Sequence, residues 1–100
     1  MTDVYLERDG DRYVLSCKGH AAGSPALCAA VSALVYAAAG WVRNEPGAER
    51  LTERLESGDA LLVWIAPGEG PVAVFRLLTV AFLQLEASDR ERLRVAQVGD

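Results

Sequence analysis

Two short runs near the start of the chain, Val4-Tyr5-Leu6-Glu7-Arg8 and Arg12-Tyr13-Val14-Leu15-Ser16-Cys17-Lys18, are rich in β-branched and aromatic residues and flank Asp9-Gly10-Asp11. An Asp-Gly pair between such runs predicts a hairpin, because glycine accepts the positive φ that a tight turn demands. Gly19 ends the second strand. Leu27, Val31, Leu34, Val35 and Ala38 then recur at helical spacing. Ser24-Pro25 ahead of them supplies a capping hydroxyl and a first helical residue whose φ is already set. Gly40 is the expected C-terminal cap, and Asn44, Pro46 and Gly47 mark the following loop.

Residues 48–56 carry two patterns at once. Leu51 and Leu55 stand at i,i+4 as on a helix, whereas Leu51, Glu53 and Leu55 alternate as on one face of an edge strand. Ser57-Gly58-Asp59 is a turn, and residues 60–66 form a continuous apolar run of the length of a buried strand. Pro67, Gly68, Gly70 and Pro71 are expected to break the chain before a second helix over 72–86. Val74, Leu77, Leu78, Ala81 and Leu85 would line one of its faces, and Phe75 and Phe82 another, so the helix would be buried on two sides. Leu93, Val95 and Gln97 alternate with Arg94, Ala96 and Val98 as a final strand. With 48–56 as a strand, the order is β-β-α-β-β-α-β. That order predicts an α+β fold, a two-layer sandwich of two helices on one sheet, with residues 1–100 as a single domain.

Composition narrows the function. At 100 residues, 51% of them apolar, and a mean hydropathy of +0.12, the chain is too apolar for disorder and carries more apolar surface than a small monomer readily hides. A homodimer is therefore expected. A net charge of −4 and a pI near 4.9 give no reason to expect nucleic-acid binding. Charged residues at Asp3, Glu7 and Arg8 break any signal sequence, and Arg76 and Gln84 interrupt the longer apolar stretch, so a cytoplasmic protein without a membrane span is expected. In such a reducing compartment Cys17 and Cys28 should be free thiols rather than a bridge.

Most reaction chemistry finds no foothold. The chain has no G-x-G-x-x-G, P-loop, C-x-x-C or EF-hand pattern, and no cofactor is expected. Cys17, His20 and Cys28 would offer three soft ligands where a closed zinc site takes four, so no metal is expected either. What remains is Gly19-His20-Ala21 in a loop and Cys28 in the first turn of the first helix. A cysteine attacks as its thiolate, and the unpaired amides and dipole at a helix N-terminus favour negative charge there. A nearby imidazole can take the thiol proton and later protonate a leaving amine. The same two residues also fit a small core thiol and a surface histidine.

Gly19-His20-Ala21 followed by Cys28-Ala29-Ala30-Val31-Ser32-Ala33-Leu34 closely resembles the signature of the ribosomal-processing cysteine proteases. The resemblance implies that Cys28 is the nucleophile and His20 the general base. It also implies a homodimer that cleaves a peptide bond in the N-terminal extension of a ribosomal-protein precursor. Gly19, Ala21, Gly23, Ser24 and Ser32 would border the bound peptide, and residues 48–56 would be a strand. The loop from Ala21 to Leu27 is shorter than is usual in that family and lacks its acidic residue before the cysteine. A dyad rather than a triad follows, with His20 held by backbone or by Ser24. Ser32, one turn beyond Cys28, is expected to bond back to the Cys28 carbonyl or to orient the thiol. Two other functions stay open: cleavage of a different leader or scaffold peptide, and a non-catalytic dimeric binding module.

Overall fold

The computed structural model describes residues 1–99. Strands β1 (Thr2–Asp9) and β2 (Arg12–Gly19) precede helix α1 (Pro25–Asn44). Strands β3 (Glu49–Glu56) and β4 (Asp59–Ile65), helix α2 (Glu69–Ser88) and strand β5 (Leu93–Val98) follow. The order is the β-β-α-β-β-α-β read from the sequence. The sheet runs β3-β4-β2-β1-β5. The β1–β5 pair is parallel; β1–β2, β2–β4 and β3–β4 are antiparallel.

Alternation decides which face of the sheet is covered. Val4 and Leu6, Tyr13, Leu15 and Cys17, and Ala60, Leu62 and Trp64 turn to one side and join buried residues of both helices in one core. Helix α1 lies over β3 and β4, and α2 over β1 and β5. Tyr13 stacks on Trp64 with ring centroids 5.4 Å apart and planes 11° from parallel, and Phe75 of α2 closes on the same tyrosine. Neither the Tyr13 hydroxyl nor the Trp64 Nε1 has a hydrogen-bond partner among the described residues, although both side chains are fully buried. An orphaned buried hydroxyl is a net cost, so Tyr13→Phe should hold or raise stability, by up to about 1 kcal/mol in denaturant melts. A loss of that size would show that the hydroxyl has a bonding partner.

The hairpin and the first helix start form as the local chemistry directs. Gly10 takes φ +62° between β1 and β2, and the Ser24 hydroxyl accepts the Leu27 amide at 3.2 Å. The helix ends differ from the local reading. Helix α1 passes through Gly40 to Asn44, because continuing buries Val42 and packs Trp41 on the core, which outweighs a mid-helix glycine's cost of about 1 kcal/mol. It ends instead where Glu45, the residue before Pro46, turns extended. Helix α2 starts three residues earlier than Val72, at Glu69, and so takes in Gly70 and Pro71. Pro71 falls in the first turn, where a missing N–H costs nothing.

The inward face of α2 also differs. Pro71, Phe75, Leu78 and Phe82 are buried, while Leu77 stands 70% exposed with Val80 and Leu83 beside it. Leu77 thus parts from Leu78, and the outer apolar face of α2 is open. Both helices are 20 residues long and apolar enough to cross a bilayer by length and composition, but each lays its most buried side chains on the sheet. Residues 48–56 resolve as β3, paired with β4. A register shift between Arg50 and Thr52 leaves Leu51 facing outward, while Leu55 packs on the core and Glu53 meets Arg43 of α1. On the free edge of β5, the Val95 amide donates to the Glu86 carboxylate of α2 at 2.7 Å, which occupies one of the edge's exposed donors.

Candidate active site

The end of β2 and the start of β4 meet at one edge of the core. Gly19 closes β2 with φ +92°, and its amide donates to the Gly58 carbonyl in the β3–β4 turn at 2.9 Å. A Cβ on Gly19 would sit 2.2 Å from the Met1 carbonyl oxygen, so only glycine fits there. His20 follows, exposed, with its ring lying on Gly58. A Cβ on Gly58 would stand 2.3 Å from His20 Nε2. The chain then turns through Ala22-Gly23, with the Ser24 amide bonded to the Ala21 carbonyl at 3.0 Å, and enters α1. This places Cys28 in the first turn, half-buried, with its thiol donating to the Ala21 carbonyl at 3.7 Å.

His20 and Cys28 border one open cavity of about 330 Å³. Its floor is apolar, with Val31 and Val35 of α1, Cys17 of β2 and Ala60 of β4. Cys28, Ser32 and Tyr36 fall at successive i+4 positions of α1 along one wall, and Leu55 of β3 stands among the facing residues. Eight residues of helix rise about 12 Å, which an extended peptide spans in roughly three to four residues. The groove is therefore sized for a short stretch of extended chain beside a thiol and an imidazole.

Of the residues singled out from sequence, Gly19, His20, Cys28 and Ser32 line this cavity. Ala21, Gly23 and Ser24 do not. Ala21 is buried beneath the loop, where its carbonyl serves the thiol. Gly23 provides a positive φ of +84° for the turn. The Ser24 hydroxyl caps α1 rather than holding His20, because the unpaired Leu27 amide lies closest to it. Ser32 is exposed, and its hydroxyl makes no hydrogen bond to the Cys28 carbonyl. Among the described residues no carboxylate bonds to His20. Asp59, which also lines the cavity, is engaged at 3.0 Å with Arg54, whose hydrogen bond holds its carboxyl below the usual range. Among the described residues no group of His, Cys, Asp and Glu side chains is placed to hold a metal ion.

Gly58 and Tyr36 were not singled out from sequence as parts of a site. Gly58 is legible only as a turn glycine, since its contact with His20 depends on β2–β4 pairing. Tyr36 had a faint signal: a large aromatic, 61% exposed, that breaks the apolar stripe of its helix.

The two thiols differ sharply. Burial among apolar neighbours pushes the Cys17 thiol up to about 12, because a thiolate there would lose its hydration. Cys28 reaches the open cavity. Brief iodoacetamide treatment of the native protein near pH 8 should therefore label Cys28, with Cys17 reacting only after unfolding. Peptide mapping reads this directly, and prior labelling of Cys17 would contradict it.

The fold and this site are those of a small α+β protein with a cysteine and a histidine at the mouth of a peptide-sized groove. The chain aligns with the ribosomal processing protease Prp of Staphylococcus aureus in complex with a covalently linked product peptide, at a TM-score of 0.75 and 12% identity. The alignment covers 97% of this chain and 99% of that one. The same protease in complex with a substrate peptide aligns at a TM-score of 0.72 and 11% identity, over 97% and 99% of the two chains. A hypothetical protein from Staphylococcus aureus aligns at 0.68 and 11% identity, with the same coverage. No protein-family model matches the sequence, and no curated protein does. The shared fold extends over nearly the whole chain.

Proposed function

We propose that the protein is a cysteine endopeptidase of the ribosomal-processing type, with Cys28 as nucleophile and His20 as general base. The observation that carries this reading is the shared cavity: the only histidine and the more accessible of the two cysteines line one groove, on the fold of Prp. Prp itself has been seen with a covalently linked product peptide, and a covalent link requires a nucleophile. In this chain the nucleophile of the proposal is Cys28, which borders the groove.

The proposed chemistry is that of a cysteine–histidine peptidase. His20 takes the Cys28 proton and the thiolate attacks the peptide carbonyl, forming a C–S bond. The imidazolium returns the proton to the amine as the C–N bond breaks, and water then hydrolyses the thioester. The Ala21 carbonyl accepts the resting thiol, and the His20 ring lies against Gly58, which leaves room for it. With Asp59 tied to Arg54, the site acts as a dyad. The substrate proposed is the N-terminal extension of a ribosomal-protein precursor. Incubation with such a precursor and with a panel of unrelated leader peptides tests this: selective cutting of the precursor supports it, and selective cutting of another leader moves the protein to that substrate. Tight binding of one peptide with no cutting would make it a binding module.

A homodimer completes the proposal. Leu77, Val80 and Leu83 lie along the outer face of α2 and leave a contiguous apolar stripe in water. Covering it in a two-fold pair removes that exposure. Light scattering at micromolar concentration should give about twice the 10.7 kDa chain mass, and Leu77→Asp should halve it. A 10.7 kDa particle for the unaltered protein would refute the dimer.

A further inference from the structure

We infer that Arg92 is a positioning residue for the His20–Cys28 loop, acting as a clamp from the far end of the chain; the role in catalysis rests on the peptidase reading. Arg92 precedes β5. Its Nε donates to the Ala22 carbonyl at 3.0 Å, across 70 residues of sequence, while its NH1 pairs with both Asp89 carboxylate oxygens at 3.1 and 3.3 Å. The Arg92 carbonyl in turn accepts the Thr2 amide at 2.8 Å, and Thr2 lines the cavity. Arg92 therefore joins three segments: the end of α2, the start of β1 and the loop between the imidazole and the thiol.

The effect on the loop is visible in its carbonyls. That of His20 accepts the Met1 amine at 2.9 Å, that of Ala21 accepts the Ser24 amide and the Cys28 thiol, and that of Ala22 accepts Arg92. Three consecutive acceptors are fixed, and only the last depends on a side chain remote in sequence. The planar guanidinium suits the task, because NH1 meets the carboxylate while Nε points at the carbonyl. Asp89, anchored as the C-cap of α2, holds the fork in place. The loop is short and stiffened by Pro25. With Arg92 on it, it is ordered before a peptide arrives, so little ordering entropy is spent on binding.

Amide hydrogen exchange and Cys28 alkylation on the full chain test the clamp without any substrate. In Arg92→Ala, the Ser24 amide should lose protection by about tenfold and iodoacetamide should reach Cys28 faster, while β1–β2 amides keep wild-type protection and so report an intact fold. Asp89→Asn, which keeps the guanidinium, should give the same changes more weakly. Arg92→Lys should rescue only in part, because an ammonium cannot hold the carboxylate and the carbonyl in one plane. Where a cleaved peptide is known, kcat should fall more than KM rises. Wild-type protection at Ser24 together with wild-type alkylation in a folded Arg92→Ala, or in Asp89→Asn if Arg92→Ala does not fold, would overturn the clamp and leave the peptidase reading untouched. Loss of protection in a protein that cuts nothing would keep the clamp and remove the peptidase.

Discussion

Cys28→Ala is expected to lower peptide cleavage by roughly 10³-fold or more while leaving peptide affinity nearly unchanged. The substitution removes one sulfur from the first turn of α1, where Ser24 and the Leu27 amide form the cap without it. The groove wall from Ser32 to Tyr36 stays in place. The variant should therefore bind a substrate peptide and fail to cut it. His20→Ala should lose most activity too, but with a residual rate that climbs with pH, since hydroxide can take the thiol proton when no imidazole is present. Steady-state cleavage and peptide titration across pH separate the two variants. A Cys28→Ala protein with wild-type turnover would remove the nucleophile from the account.

The second large effect is expected at Gly58, whose lack of a side chain leaves room for the His20 ring. Alanine there faces two penalties. At φ +72° an L side chain is strained by about 1–2 kcal/mol. Its Cβ would also overlap the His20 ring, 2.3 Å from Nε2 and 2.8 Å from Cε1. The ring is exposed and can swing away, so the fold survives with a modest loss of stability. Activity does not survive as well. A ring displaced by an ångström or more from its working position should lower kcat by roughly 10²-fold. Gly10→Ala provides the contrast: with φ +62° and nothing within 4 Å of the added Cβ, it should show the strain and keep the activity. Equal activity in both variants would show that the ring's position against Gly58 has no bearing on catalysis.

Much of this architecture was legible in the chain because the signals were local. Asp9-Gly10-Asp11 and Ser24-Pro25 place a turn and a helix start through the chemistry of those residues alone, and both form as read. Alternation in Val4–Leu6 and in Tyr13–Cys17 gives the covered face without reference to any partner. What failed was set by tertiary packing. Gly40 has the local character of a helix end, yet burial of Val42 carries α1 past it. Leu77 and Leu78 are equivalent by composition, and only the placement of α2 on β1 and β5 sends one in and the other out. Residues 48–56 were ambiguous by pattern, since a register shift at Arg50–Thr52 spoils the alternation that would have marked a strand.

The candidate site divides in the same way. Cys28 and His20 stand out because a thiol at a helix start and a neighbouring imidazole are chemically conspicuous. Their supports do not: Gly58 reaches His20 through the pairing of β2 with β4, and Arg92 reaches Ala22 across the whole domain. Ser24 reads from sequence both as the helix cap and as a support for the histidine or the substrate, and its hydroxyl is taken by the cap.

The measurement closest to the central claim is the identity of the atom that bonds to the substrate. A chloromethyl ketone built on the peptide sequence that the protein cuts, added to native protein and followed by proteolytic mapping in the mass spectrometer, reports it. The account predicts a single adduct, on the Cys28 sulfur, formed far more slowly in His20→Ala and competed away by uncut peptide. An adduct on any other residue, or a protein that cuts no peptide and takes no label at Cys28, would contradict it.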